Sequence, residues 1–190
     1  TLKQISTGKK ENKFGVDAKT FFNLVRYSKF SKNIDLKCLS VHIGSQILDH
    51  IPYEKMLKVI DKVIKKANHK FEFIDLGGGM GISYEKNNKK LNYQKYNIAI
   101  KKFLKRHKSK IIFEPGRSIV GNIGSLVSKV IYIKENDKKD FIILDAAMND
   151  LIRPALYGAT HRTLPAIKAN QMSKKTYEFV GPICESTDKF

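Results

Sequence analysis

Three short apolar runs alternate with amphipathic stretches of helical length, and this order leaves the chain few folds to choose from. Residues 36–43 (LKCLSVHI), 71–76 (FEFIDL) and 110–114 (KIIFE) read as strands. Between them, Met56, Ile60, Val63, Ile64 and Ala67 mark one face of a helix over 54–67. Tyr96, Ala99, Ile100, Phe103 and Leu104 do the same over 93–107. Phe21, Phe22, Val25 and Phe30 outline a leading helix over 17–31. Helices of that length between strands imply parallel pairing through right-handed crossovers. The strands are apolar almost throughout, as expected of a sheet covered on both faces.

The pattern changes near residue 120. Strand candidates follow at 125–133, 140–146, 160–167 and 175–181, with no long amphipathic helix between them. The expected division is therefore an α/β domain over 1–119 and part of a mostly-β domain over 120–190. Residues 85–92 read as a polar loop. With no initiator Met, no basic-then-apolar leader and no tapering tail, the chain reads as an internal piece of a longer protein.

Composition narrows the function classes. Lys and Arg number 36 against 18 acidic residues, a net +18. Only 5 of the 36 are Arg, while Ile reaches 22 and Asn 12; Lys, Ile and Asn all have A/T-rich codons, so a biased genome would inflate the three together. The lysines are dispersed over every helix rather than gathered in a stripe, which argues for solvated faces and no nucleic-acid partner. No apolar run is long enough to span a bilayer. Two cysteines and widely spaced histidines give neither a disulfide framework nor a metal site, and free thiols fit a cytoplasmic location.

Each parallel strand is followed by a chemistry-bearing segment: His42-Ile43-Gly44-Ser45-Gln46, Gly77-Gly78-Gly79-Met80-Gly81, and Glu114-Pro115-Gly116-Arg117. All three fall at strand carboxyl ends, the rim on which α/β enzymes build their sites. The glycine run is either a tight turn or a place where backbone N–H groups approach an anion. It has neither the dinucleotide-binding spacing nor a P-loop lysine. His42 is either a rim residue or a ring that stacks on an aromatic cofactor. Glu114 either pairs with Arg117 or faces a cofactor cation. Further on, Cys184 is either a small packed residue or an acid, and Arg153, before Pro154, either a turn residue or a carboxylate ligand.

HIGSQ, DLGGGMGISY, EPGRSIVGNIG, DAAMNDLIRPALY and GPICESTD, in this order after an ISTGKKENKFGV opening, resemble the diaminopimelate decarboxylase family. These are pyridoxal-phosphate enzymes on an alanine-racemase-like barrel. The GGG and EPGR motifs are shared with ornithine and arginine decarboxylases of the same fold. The NDLIRPALY and CES motifs are more specific to the diaminopimelate branch. The resemblance implies an α/β fold, the C-terminal half of a pyridoxal-phosphate-binding TIM-like barrel followed by part of a mostly-β domain.

It also implies roles. His42 would stack on the pyridine ring of pyridoxal 5'-phosphate. Ser45, Gly77, Gly78, Gly79 and Gly116, with Pro115 beside it, would hold the phosphate, and Glu114 would face the ring nitrogen. Arg117 would border the cofactor and, with Arg153 and Tyr157, bind a carboxylate of meso-diaminopimelate. Cys184 would be the catalytic proton donor and Glu185 would bind the distal ammonium, both at the partner's cofactor in a homodimer. The Schiff-base lysine of the family would precede Thr1 and a late cofactor-touching tyrosine would follow Phe190. Lys168-Ala169-Asn170 has the letters of the lysine motif in the wrong domain and reads as chance. The segment alone is therefore expected to be inactive. The alternatives are an ornithine- or arginine-type decarboxylase of the same fold, and a non-catalytic gene remnant.

Overall fold

The computed structural model describes residues 13–84, 89–167 and 175–190. Residues 5–12 of the opening motif, 85–88 of the polar loop, and Lys168–Asn170 lie outside the described residues. The chain divides into two compact units, residues 1–83 with 87–123, and residues 84–86 with 124–190.

In the first unit, α1 (Ala18–Ser28), β1 (Cys38–Ser40), α2 (Ile51–Ala67), β2 (Phe73–Asp75), α3 (Tyr93–Leu104), β3 (Lys110–Ile112) and the short α4 (Arg117–Val120) follow in order. The strands form a parallel sheet, β1-β2-β3, with Leu39, Ile74 and Ile111 in register. Each helix has a local cause. Asp17 caps α1 by accepting the Thr20 N–H at 2.8 Å, and Asn92 caps α3 by accepting the Lys95 N–H at 2.9 Å. Asn68 ends α2 in the left-handed conformation at φ 44°. Met56 and Ile60 of α2 and Tyr96, Ile100 and Phe103 of α3 are buried in one core with Ile74 of β2 and Leu76 just after it, as the helical periodicity predicts. Phe30 departs from its expected place. It lies beyond the end of α1 and is 84% exposed, because the helical stripe stops two residues earlier.

α2 is also tied by charge to the turn that follows α3. His107 Nε2 lies 2.6 Å from Asp61 Oδ1, Arg106 Nε lies 3.2 Å from the same oxygen, and Lys65 Nζ lies 3.0 Å from Oδ2. His107 first, then Lys65 and Arg106, hold the Asp61 carboxyl well below the usual carboxylate range. A carboxyl depressed in the folded state stabilises fully above its unfolded value, and that contribution is lost as pH falls toward the folded one. Asp61→Asn is therefore expected to lower stability by about 2 kcal/mol at neutral pH. Urea denaturation of the two proteins should converge as pH drops below about 4.

The second unit contains β4 (Val130–Lys134), β5 (Asp140–Leu144), α5 (Arg153–Tyr157) and β6 (Tyr177–Val180). The sheet order is β4-β5-β6, antiparallel and then parallel. Two strand expectations need correction. Residues 160–167 carry no strand: Pro165 removes a ladder donor, and Leu164 and Ile167, at 63% and 84% exposure, have little to pack against. Residues 125–129 also stay outside β4, because Asp145 Oδ1 takes the Lys129 N–H and the Ser128 hydroxyl, each at 2.7 Å. No helix among the described residues is long and apolar enough to cross a membrane.

Candidate active site

Hydrogen bonds carry the parallel sheet past its last regular residues and join the three strand ends. The Val41 N–H donates to Asp75 O at 2.9 Å, Leu76 N–H to Ile112 O at 3.0 Å, and Glu114 N–H to Gly77 O at 2.9 Å. On the next turn the Ile47 N–H donates to Gly79 O at 2.9 Å and Gly81 N–H to Ile47 O at 3.0 Å. The HIGSQ, GGGMG and EPGR segments thus meet on one rim, at the carboxyl ends of β1, β2 and β3.

The glycines are where this rim closes. A Cβ on Gly77, whose φ is +63°, would lie 2.8 Å from both His42 Nδ1 and Val41 O. A Cβ on Gly78 would run into Glu114 O, and one on Gly79, at φ +85°, into Gly44 O. Only glycine lets the middle segment pass this close to both neighbours. Among the described residues no hydrogen bond takes the N–H of Gly78, Gly79 or Gly116, so these donors are available to an anion. His42, Glu114 and Gly116 are exposed beside them, and Ser45, Pro115 and Arg117 are half-buried. This cradle of bare backbone flanked by a ring and a carboxylate fits a phosphorylated, cationic heteroaromatic group.

Three residues to which the motifs assign no role shape the cradle. Asp75 is buried, with Oδ1 accepting the Gly77 N–H at 2.8 Å and Oδ2 the Ser40 hydroxyl at 2.9 Å. The fully buried Tyr53 of α2 donates its hydroxyl to Gly78 O at 3.3 Å and stacks on Tyr96 at 4.3 Å between ring centroids. Burial pushes both phenols above their ordinary range. Gln46 sits at φ +61°, rare outside glycine. Its Oε1 accepts from Arg117 Nη1 at 3.0 Å and its Nε2 donates to Ile82 O at 2.5 Å. Gln46 therefore aims Arg117 from the loop after β1, across the strand that separates β1 from β3. Asp75 and Gln46 lie inside the quoted motifs, and a lone acid before a glycine run was the available signal. Nothing in the sequence distinguishes Tyr53 from an ordinary core residue.

The remaining expected site residues belong to the second unit. Arg153 and Tyr157 share α5, with the guanidinium carbon 5.9 Å from the Tyr157 ring centroid and 5.9 Å from that of Tyr84. Cys184 and Glu185 are exposed on the loop after β6, where the Ser186 hydroxyl donates to Glu185 Oε1 at 3.1 Å.

Residues 1–121 match the family model described as pyridoxal-dependent decarboxylase, pyridoxal binding domain. The chain is 43% identical to diaminopimelate decarboxylase of Zymomonas mobilis over its whole length, which is 46% of that protein. It is 39% identical to the enzyme of the same name from Aquifex aeolicus, over 97% of this chain and 44% of the relative. The crystal structure of diaminopimelate decarboxylase from Helicobacter pylori complexed with L-lysine superposes with a TM-score of 0.86 at 39% identity, covering 100% of this chain and 48% of that one. The chain thus spans less than half the length of the curated relatives it matches.

Proposed function

Because the chain belongs to the pyridoxal-dependent decarboxylases, we propose that it is part of a diaminopimelate decarboxylase that converts meso-2,6-diaminopimelate to L-lysine and carbon dioxide. The observation that carries this reading is the rim cradle, in which the glycine run lies between His42 and Glu114 with no room for a side chain. The family's cofactor is pyridoxal phosphate. When bound, it supplies an electron sink for the charge left on the substrate carbon as carbon dioxide departs.

The residues of this chain divide the remaining work. The N–H groups of Gly78, Gly79 and Gly116, with Gly77, Ser45 and Pro115 beside them, bind phosphate. The His42 ring covers the pyridine face. Glu114 holds a proton on the pyridine nitrogen. Arg117, Arg153 and Tyr157 orient the substrate carboxylate that stays, which suits the planar two-pronged geometry of Arg. Cys184 delivers a proton to the carbon that lost its carboxylate, and Glu185 binds the distal ammonium. These last two residues act in the partner's site of a cytoplasmic homodimer. In this reading residues 1–119 are the barrel portion and 120–190 part of the β domain.

The test is carbon dioxide release by the full-length enzyme from meso-diaminopimelate, ornithine and arginine in parallel. The expected result is release from meso-diaminopimelate with stoichiometric lysine. Preference for ornithine or arginine would assign the chain to the other branch of the fold.

A further inference from the structure

We propose that Asp188 is a positioning residue whose buried carboxylate fastens the segment carrying Cys184 and Glu185 to the segment that leads into Arg153 and Tyr157. The importance of those four residues rests on the functional reading above; the fastening itself rests on geometry alone.

β5 and β6 are parallel neighbours, so the loops that follow them leave the same edge of the sheet. Asp188 is 3% exposed. Its Oδ1 accepts the Met148 N–H at 2.6 Å, in the loop after β5. Its Oδ2 accepts the Ile183 N–H at 2.8 Å, in the loop after β6. One carboxylate therefore holds one amide from each loop, with charge-assisted bonds that are stronger than neutral ones.

Both loops are firm behind these contacts. The Asp188 N–H donates to Glu185 O at 3.1 Å, and Asp188 O accepts the Gly181 N–H at 3.0 Å, so Cys184 and Glu185 sit inside a closed turn. On the other side, Asp150 Oδ2 accepts the Ala147 N–H at 2.8 Å and Leu151 N–H donates to Ala147 O at 3.1 Å, two residues before Arg153. Gly181 makes the approach possible, since a Cβ there would run into Asp188 Oδ2 and lie 2.6 Å from Oδ1. A carboxylate suits this position as no other side chain does. An amide has a single acceptor oxygen, and its NH2 would face the second N–H.

The test compares Asp188→Ala and Asp188→Asn with wild type, each in the full-length enzyme, by amide hydrogen exchange. In Asp188→Ala the Met148 and Ile183 amides should both exchange faster, by about tenfold. In Asp188→Asn one of the two should regain protection. Unchanged protection at Met148 in Asp188→Ala would overturn the proposal, because the carboxylate would then serve only its own turn. In the full-length enzyme, Asp188→Asn should lower kcat/KM by roughly tenfold with cofactor affinity held within about twofold. Equal losses in both would signal general damage to the fold and overturn the positioning role. If the wild-type enzyme releases no carbon dioxide from diaminopimelate, the functional reading fails while the exchange experiment still decides the role of Asp188.

Discussion

Replacing Gly79 by alanine is expected to destabilise the first unit by about 4 kcal/mol, from backbone overlap and a left-handed φ acting together. The new Cβ would meet Gly44 O, which belongs to the backbone of the adjacent strand's loop and cannot rotate away. The φ of +85° adds strain that no repacking relieves. Gly78→Ala meets the same kind of obstacle in Glu114 O, without the positive φ, and should cost about 3 kcal/mol. Gly116→Ala is the control. It lies on the same rim, yet a Cβ there meets nothing within 4 Å, so its effect should stay within about 1 kcal/mol. Chemical denaturation of the three variants checks the order. A Gly79→Ala protein as stable as Gly116→Ala would mean that the three rim segments are not held as closely as the hydrogen bonds between them imply. The loss is large beside the roughly 5–15 kcal/mol that holds a domain folded.

The parallel half of the fold was legible because two periods coexist in the sequence. The stripe of Met56, Ile60 and Ile64 has the period of a helix, and FEFIDL, apolar but for Glu72 and Asp75, has the length and composition of a strand. Their alternation then dictates parallel order and puts the three motifs on one rim. The second unit was less legible. Residues 160–167 stay unpaired, with Pro165 unable to donate to a ladder, whereas Tyr177–Val180 pairs because β5 offers it a parallel edge. Strand formation there depends on a neighbour far away in sequence, which local pattern does not encode.

The rim residues divide along the same line. The place of His42, Glu114 and Arg117 on the rim could be read from their positions after the strands. Gln46, Asp75 and Asp188 act through groups on distant segments, at sequence distances of 71 residues from Gln46 to the Arg117 side chain, 35 from Asp75 to the Ser40 hydroxyl and 40 from Asp188 to the Met148 N–H. Such contacts exist only once the sheet has brought the loops together. The same dependence explains the exposed apolar surface: Ile112, the last residue of the edge strand β3, and Phe113 after it are 39% and 41% exposed. A sequence written to be covered on both faces still reads as buried where no neighbour stands.

Glu114→Gln should lower turnover of the full-length enzyme by about 10²- to 10³-fold, the usual effect of removing one preorganised charged partner. Glutamine nearly matches glutamate in size and keeps an acceptor oxygen, so the Glu114 N–H to Gly77 O bond at 2.9 Å and the glycine cradle beside it have no reason to change. In the proposed role, what is lost is negative charge at the ring nitrogen. That charge matters most when electron density moves into the ring, and matters little to how firmly phosphate sits on the backbone N–H groups. Cofactor affinity, read by fluorescence titration without substrate, should therefore change by no more than about threefold. The two readings of Glu114, a carboxylate for the cofactor or an ion-pair partner for Arg117, separate on this split. In the second case Arg117, already held by Gln46 Oε1 at 3.0 Å, would lose part of its support. Stability, cofactor affinity and turnover would then decline together. A parallel decline would remove Glu114 from the chemistry and leave it a structural role on the rim.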